Sequence, residues 1–259
     1  MATPDTAYVR LRGGSQLPLL GFGTWRLHGR ACYQAVRRAL EVGYRHIDTA
    51  TMYRNEDQVG RAVRDSGVPR EEVFITTKLL PQDVGQERRA LTASLRALDT
   101  GYVDLWLIHW PPRGEQAQVA TWRELLAARE RGEAKAVGVS NFELRQLDRL
   151  GAATDVMPVV NQIPWSPSQH DPRLLAGHRE RGVVLEGYSP LKGTRLRHPV
   201  LVEIAERYQV TPAQVVLRWH LEHGIPVIPK SGDPERIATN ADLFGFSLTD
   251  EEIARIDAL

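Results

Sequence analysis

The chain has 259 residues, 42% of them hydrophobic and 25% charged, with a formal net charge of +1. This composition excludes a disordered chain, and no apolar stretch approaches the roughly 20 residues that a membrane-spanning helix needs. The near-zero net charge argues against a general nucleic-acid binder, and with Cys32 as the sole cysteine neither an internal disulfide nor a cysteine-based zinc site is available. Met1-Ala2-Thr3-Pro4-Asp5 leads into no basic-then-apolar signal segment, so a reducing cytoplasm is the expected compartment. The length suits one (β/α)8 barrel of about 250 residues, although two smaller domains also fit it.

Taken in chain order, Tyr8-Val-Arg-Leu11, Gly13-Gly14 and Leu17-Pro-Leu-Leu20 form a hairpin signature. Such a hairpin could plug the bottom of a barrel. Short apolar and β-branched runs then predict strands near residues 20–25, 44–50, 73–79, 104–110, 134–140, 159–165, 183–190 and 226–231. Runs of this kind suit strands buried on both faces of a parallel sheet. Helical spacing lies between them, in Leu91, Leu95 and Leu98, in Val119, Trp122 and Leu126, and in Leu201, Ile204, Ala205 and Tyr208. Gly43, Gly67, Gly132, Gly151, Gly182 and Gly224 fall where those helices should end. Residues 198–224 suggest two helices instead of one, and Thr249–Asp257 reads as a closing helix. Strand-then-helix alternation predicts an α/β fold. Eight units without a Pro/Gly/Ser-rich linker favour a (β/α)8 TIM barrel with an N-terminal β-hairpin, as one domain over residues 1–259.

In such a barrel the side chains at the C-terminal strand ends line the active site. Polar residues fall there repeatedly: Asp48, Thr77-Lys78, His109-Trp110, Ser140-Asn141, Asn161-Gln162, Tyr188-Ser189 and Lys230-Ser231. Taken singly, Asp48 and Lys78 read as a structural ion pair and His109 as a satisfied core histidine. Together, at successive strand ends, they read as a site, because buried charges need partners. No metal cluster is evident. His109, His170, His178, His198, His220 and His223 show no ligand spacing with convergent carboxylates.

Several ordered segments resemble the aldo-keto reductases: Leu20-Gly-Phe-Gly-Thr-Trp25, Gly43-Tyr-Arg-His-Ile-Asp-Thr-Ala50, Tyr53-Arg-Asn-Glu56, Thr77-Lys78, Asp104-Leu-Trp-Leu-Ile-His-Trp-Pro111, Gly138-Val-Ser-Asn-Phe142, Asn161-Gln162, Tyr188-Ser-Pro-Leu191 and Ile228-Pro-Lys-Ser231. The chain looks closest to small bacterial members resembling diketogluconate and methylglyoxal reductases. The resemblance implies a catalytic tetrad of Asp48, Tyr53, Lys78 and His109. Tyr53 would protonate the carbonyl oxygen as hydride reaches the carbon. Its ordinary pKa of ~10 makes it a reluctant acid, and the Lys78 ammonium is expected to lower it. Asp48 would hold Lys78, and His109 would orient the carbonyl.

No Rossmann fingerprint is present, since Gly21-Phe-Gly23-Thr-Trp-Arg26 fails Gly-x-Gly-x-x-Gly at its last position. By resemblance, Ser140, Asn141 and Gln162 would hydrogen-bond the carboxamide of a nicotinamide cofactor and Tyr188 would stack on its ring, with Gly23, Thr24, Asp48, Ser189 and Leu191 as further cofactor-binding residues. Lys230, Ser231, Arg236 and Asn240 would take the phosphate and adenine end. A cation pair plus a hydroxyl suits a 2′-phosphate, which favours NADPH, with NADH as the weaker alternative. Asp233 and Thr239 depart from the family pattern there and soften strict NADP preference, and Lys192 stands where relatives usually have glycine.

Trp25, Tyr53, His109 and Trp110 would wall the substrate pocket by resemblance. The chain stops at Leu259 without the C-terminal tail of longer relatives, so an open site with modest size restriction is expected. The resemblance implies a monomer acting on small carbonyl compounds, with neither nucleic acid nor membrane as partner. Two other functions are compatible with parts of the pattern: a cofactor-binding regulatory or sensor module with little turnover, and a phosphate-handling isomerase or lyase barrel. A Lys78 held charged beside Asp48 would be a poor Schiff-base nucleophile, which weighs against the latter.

Overall fold

In the computed structural model, residues 7–259 are described. The segment Met1–Asp5, expected not to lead into a signal sequence, lies outside them. The hairpin is present as β1 (Tyr8–Arg10) and β2 (Gln16–Pro18), paired antiparallel with Tyr8 opposite Pro18. Seven parallel strands follow and lie side by side in sequence order: β3 (Phe22–Gly23), β4 (His46–Asp48), β5 (Phe74–Leu79), β6 (Val103–Ile108), β7 (Ala134–Ser140), β8 (Val160–Pro164) and β9 (Val184–Tyr188). Between and after them run α1 (Gly29–Glu41), α2 (Glu56–Ser66), α3 (Glu87–Leu98), α4 (Glu115–Glu130), α5 (Leu144–Thr154), α6 (Pro172–Glu180), α7 (Pro199–Tyr208), α8 (Pro212–Glu222), α9 (Pro234–Ala241) and α10 (Asp250–Asp257). This is the (β/α)8 architecture, with two helices over 198–224 as the sequence suggests. Among the described residues no helix is long and apolar enough to cross a membrane.

The eighth strand departs from expectation. Residues 226–231 form no continuous strand, and Val227 alone bridges Leu20 on one side and Gly187 on the other. The segment still closes the barrel. Val227 N–H donates to Leu19 O at 2.8 Å and Gly21 N–H to Val227 O at 2.9 Å, while Gly187 N–H donates to Pro226 O at 2.8 Å and Ile228 N–H to Gly187 O at 3.2 Å. The ladder is broken because Pro226 and Pro229 have no N–H to donate. Gly21 permits this closure for a steric reason, since a Cβ there would overlap the His46 ring and Ile228.

The helices bury the apolar stripes read from the sequence. Leu91 and Leu98 of α3, Trp122 and Leu126 of α4, and Leu201, Ile204 and Ala205 of α7 are all buried. Gly43, Gly67, Gly132, Gly182 and Gly224 follow helices with positive φ, as expected of C-terminal glycines. Gly151 does not. It lies inside α5, which runs on to a left-handed Asp155.

At the bottom of the barrel, Leu11 and Leu17 of the hairpin join one buried cluster with Phe74, Leu105, Leu107, Ala136, Val159 and Val160. The hairpin therefore plugs the bottom of the barrel, a placement that the sequence pattern alone does not fix. Leu17 is fully enclosed. Leu17→Ala should lower the unfolding free energy by about 2–5 kcal/mol, measured by chemical denaturation, through the cavity it leaves. A loss below about 1 kcal/mol would mean that the plug collapses around the gap.

Candidate active site

At the C-terminal end of the strands a cavity of about 410 Å³ opens. It is lined by Gly23, Trp25, Asp48, Tyr53, His109, Trp110, Asn141, Gln162, Tyr188, Ser189, Leu191 and Lys230, all singled out in the sequence. Met52, Pro190, Lys192, Ile228 and Pro229 complete the wall. Lys78, Thr24 and Ser140 stand behind the wall as buried supports. Ser231 is nearly buried beyond it, whereas Arg236 is exposed and Asn240 half-buried on α9.

Asp48, Tyr53, Lys78 and His109 converge on the cavity floor. Lys78 Nζ donates to Asp48 Oδ1 at 2.5 Å, to Thr49 O at 3.0 Å and to Tyr53 Oη at 3.4 Å. Burial opposes charge on Lys78, but Asp48, Tyr53 and Glu186 outweigh it and hold its pKa above the ordinary value. Tyr53 sits at the end of a short turn, Thr51–Tyr53, anchored by the Thr51 hydroxyl donating to Lys78 O at 2.6 Å. The expectation that Tyr53 has a lowered pKa needs correction. Burial raises it, and the opposing pull of Lys78 does not make up the difference. The ammonium acts in the expected direction, but a phenolate in a dry pocket loses more hydration than one cation restores.

His109 is driven down to about 2, by burial first and then by Lys78, so its ring is neutral. It stacks on Trp110 with centroids 3.8 Å apart and meets the Tyr53 ring edge-on at 5.8 Å. Its Nδ1 is enclosed without a partner. Trp25 leans on Tyr53 at 4.9 Å. Trp25 is 44% and Trp110 36% exposed, which leaves an aromatic rim open to solvent.

The next layer turns the amides. Asn141 Nδ2 donates to His109 O at 2.9 Å and to Ser140 Oγ at 3.0 Å, and its Oδ1 accepts from Tyr188 Oη at 2.9 Å. Ser140 Oγ donates to Gln162 O at 2.7 Å. Asn141 (φ 63°) and Ser189 (φ 55°) are left-handed, as are Arg26 (φ 62°) and Arg54 (φ 53°), each one residue past a pocket aromatic. Such conformations are unfavourable for residues other than glycine and gather where a site constrains the backbone. By contrast Asn161, paired with Phe142 through its amide and set 2.9 Å from His178, is structural.

Glu186 was not singled out from the sequence, yet it is fully buried under this floor. Gln162 Nε2 donates to Asp48 Oδ2 and to Glu186 Oε2, both at 2.8 Å. Both amide protons are thus committed, and Oε1 is left as an acceptor on a residue that lines the cavity. Glu186 Oε1 lies 3.8 Å from His46 Nδ1, and neither atom has a hydrogen-bond partner. Burial, then Asp48, raises the Glu186 pKa to about 8, while burial, then Lys78, lowers His46 to about 3. Both are neutral near pH 7. One signal could have revealed Glu186: it stands two residues before Tyr188, on the same inward strand face.

At the α9 end, Asp233 caps the helix and accepts from Glu235 N and Arg236 N at 2.9 and 3.0 Å. Ser231 Oγ in turn accepts from Asp233 N at 3.0 Å. The departure at Asp233 thus places a carboxylate on the N-terminal amides of α9. The histidines are also less dispersed than their spacing suggests, because His170 and His223 converge on Asp257.

The match to known proteins agrees with this geometry. Residues 19–259 match the model of the aldo/keto reductase family. The chain belongs to that family. It is therefore an oxidoreductase of the carbonyl-reducing kind. It is 41% identical over 263 residues to methylglyoxal reductase DkgA of Escherichia coli K12, covering 100% of this chain and 94% of that protein. An aldo/keto reductase from Brucella melitensis superposes with a TM-score of 0.94 at 42% identity, covering 98% of this chain and 99% of the other. A Bombyx mori aldo-keto reductase, solved in complex with NADP, gives 0.91 at 36% identity over 98% of this chain and 92% of its own.

The buried acid and histidines dictate the pH response of folding. His46, His109 and His220, lowered to about 3, 2 and 4, are held neutral by the fold, so stability is lost as pH falls below their unfolded value of ~6.5. Glu186 works in the opposite direction. Its folded pKa is raised, so its contribution is complete below ~4.3 and is lost as pH rises toward about 8. In Glu186→Gln, which cannot ionise, thermal melts from pH 6 to 8.5 should lack a decline worth at most about 1.4 kcal/mol per pH unit in the parent. Parallel melting profiles for the two proteins would remove Glu186 as the titrating group.

Proposed function

We infer that this chain reduces aldehydes or ketones to alcohols with NADPH, with Tyr53 as the proton donor. The observation that carries this reading is the Tyr53 hydroxyl held 3.4 Å from a fully buried Lys78 ammonium, beside His109, at the foot of an open cavity. Bound NADPH supplies hydride to the carbonyl carbon. The residues present fit that cofactor, because Gln162 can only accept through its remaining amide oxygen and so suits the N–H of a carboxamide. Tyr188, held by Asn141, offers its ring to the nicotinamide face, and Ser140 fixes the strand ends on either side. Gly23, Thr24, Ser189 and Leu191 shape the rest of that half.

The Tyr53 O–H donates to the carbonyl oxygen and yields its proton as negative charge develops there. The tyrosinate left behind is stabilised by Lys78, which Asp48 keeps charged and in place. The same burial that raises the Tyr53 pKa strengthens this stabilisation, because water does not screen it. Neutral His109 directs a ring N–H at the carbonyl oxygen.

Lys230, Ser231, Arg236 and Asn240 form the proposed 2′-phosphate and adenine end. Asp233 draws on the α9 amides, so preference for NADPH rests on the Lys230 and Arg236 side chains, and NADH remains usable. The exposed Trp25 and Trp110 rim suits compact, unhindered carbonyls such as α-dicarbonyls, small aldehydes and keto sugars. The same reading has the enzyme working as a monomer in the cytoplasm on diffusible substrates.

Following NADPH absorbance with a panel of such carbonyls tests the activity. Tyr53→Phe should lower kcat by roughly 10²–10⁴-fold while cofactor binding persists. Full activity in that variant would defeat the assignment, and binding without turnover in the parent would support a sensor instead. Exchanging Lys230 and Arg236 for alanine together should raise KM for NADPH by about 10–100-fold with little change for NADH. Equal changes for both cofactors would place the 2′-phosphate elsewhere.

A further inference from the structure

Away from the pocket, three chain segments remote in sequence bring His170, His223 and Asp257 together. His170 precedes α6, His223 caps the C-terminus of α8, and Asp257 ends α10. One potential ligand atom from each lies within 4.8 Å of the others. Asp257 Oδ1 is 2.8 Å from His223 Nε2 and 3.8 Å from His170 Nε2. The two imidazoles lie face to face, centroids 5.2 Å apart and planes 29° apart, so both present Nε2 to the same carboxylate. Trp219 Nε1 donates to that Oδ1 at 2.7 Å and fixes its position.

The second observation is what His170 lacks. Its side chain is only 7% exposed, its Nδ1 is enclosed without a partner, and the 3.8 Å to Asp257 is too long for a hydrogen bond. A buried imidazole left unbonded costs free energy that packing alone has to offset. A ligand between Nε2 and the carboxylate would give the ring a strong bond in compensation, although Nδ1, on the other side of the ring, would still lack a partner.

We propose that His170, His223 and Asp257 form a binding site for a divalent transition-metal ion of the zinc class, distinct from the carbonyl-reducing pocket. Two imidazoles and one carboxylate are a characteristic donor set for such ions. An ion about 2.0–2.2 Å from each ligand in tetrahedral geometry sets neighbouring ligand atoms roughly 3.3–3.6 Å apart. The observed 2.8 and 3.8 Å straddle that spacing, so small side-chain rotations suffice. The ion would replace the direct His223–Asp257 hydrogen bond and engage the unbonded His170. Asp257, 30% exposed, leaves an open side where water completes the coordination. Arg179, a nearby cation, donates to His223 O at 2.7 Å and forms no ion pair with Asp257 among the described residues. The bound ion would clip α10 and α8 to the segment that leads into α6.

The test uses the full chain freed of metal by chelation, and it does not depend on whether the protein reduces carbonyls. Titration with Co²⁺ should give one equivalent of ligand-field absorption in the visible, displaced by Zn²⁺. Zn²⁺ at about a hundred times its Kd should raise Tm by roughly 5–10 °C. His170→Gln and Asp257→Asn should each abolish both signals. Asp257→Asn still accepts from Trp219, so it keeps the test informative if His170→Gln folds poorly. His28→Ala, which removes an exposed histidine elsewhere, should leave both signals intact. No Co²⁺ absorption and no shift in Tm, or signals that survive in both site variants, would overturn the proposal.

Discussion

The buried ion pair between Lys78 and Asp48 is the constraint on which the upper half of this barrel depends. Both side chains are essentially out of solvent, at 0% and 2% exposure. An ammonium so placed is tolerable only if its donors are all used. Lys78 meets that demand with Asp48 from β4, the carbonyl of Thr49 and the hydroxyl of Tyr53. The second Asp48 oxygen then recruits Gln162 from β8, across the barrel, and Gln162 recruits Glu186 from β9. One charge thus orders side chains from four strands and the turn that carries Tyr53.

The interior is layered, and the layers have different tasks. Hairpin leucines and strand-start apolar residues fill the bottom and supply hydrophobic stabilisation. Above them lies a polar but neutral tier of His46, Thr76 and Glu186, with His46 Nε2 3.0 Å from Thr76 Oγ1. Two residues further along the same strands stand Asp48, Lys78 and Tyr188, the tier that meets the cavity. Burial raises the Glu186 pKa, and the carboxylate paired directly with Lys78 is that of Asp48.

Much of this was legible in the chain. Seven parallel strands with their helices, the hairpin and the paired helices over 198–224 followed from periodicity and from glycine and proline positions. Polar residues ending apolar strands pointed to Asp48, Lys78, His109 and Gln162, because a buried charge or amide at such a place requires partners. Glu186 escaped because Val183-Val-Leu-Glu-Gly-Tyr188 passes as an apolar strand, and one carboxylate within it carries no information about what faces it. The eighth strand was over-read for a different reason. Hydrophobicity marks burial, whereas strand pairing needs N–H donors that Pro226 and Pro229 lack. His170, His223 and Asp257 were invisible as a group because ligand spacing is read along the chain and these three meet only through packing.

By itself the sequence determined the class of fold, the family and the residue types of the site, because these reside in local patterns that survive any arrangement of neighbours. The tertiary structure decided the balance of charge. Whether Lys78 lowers the Tyr53 pKa enough, whether Glu186 is ionised and which way Gln162 turns all depend on burial and on distances across the barrel. Those are set only when strands far apart in sequence close on one another and water is excluded from between them.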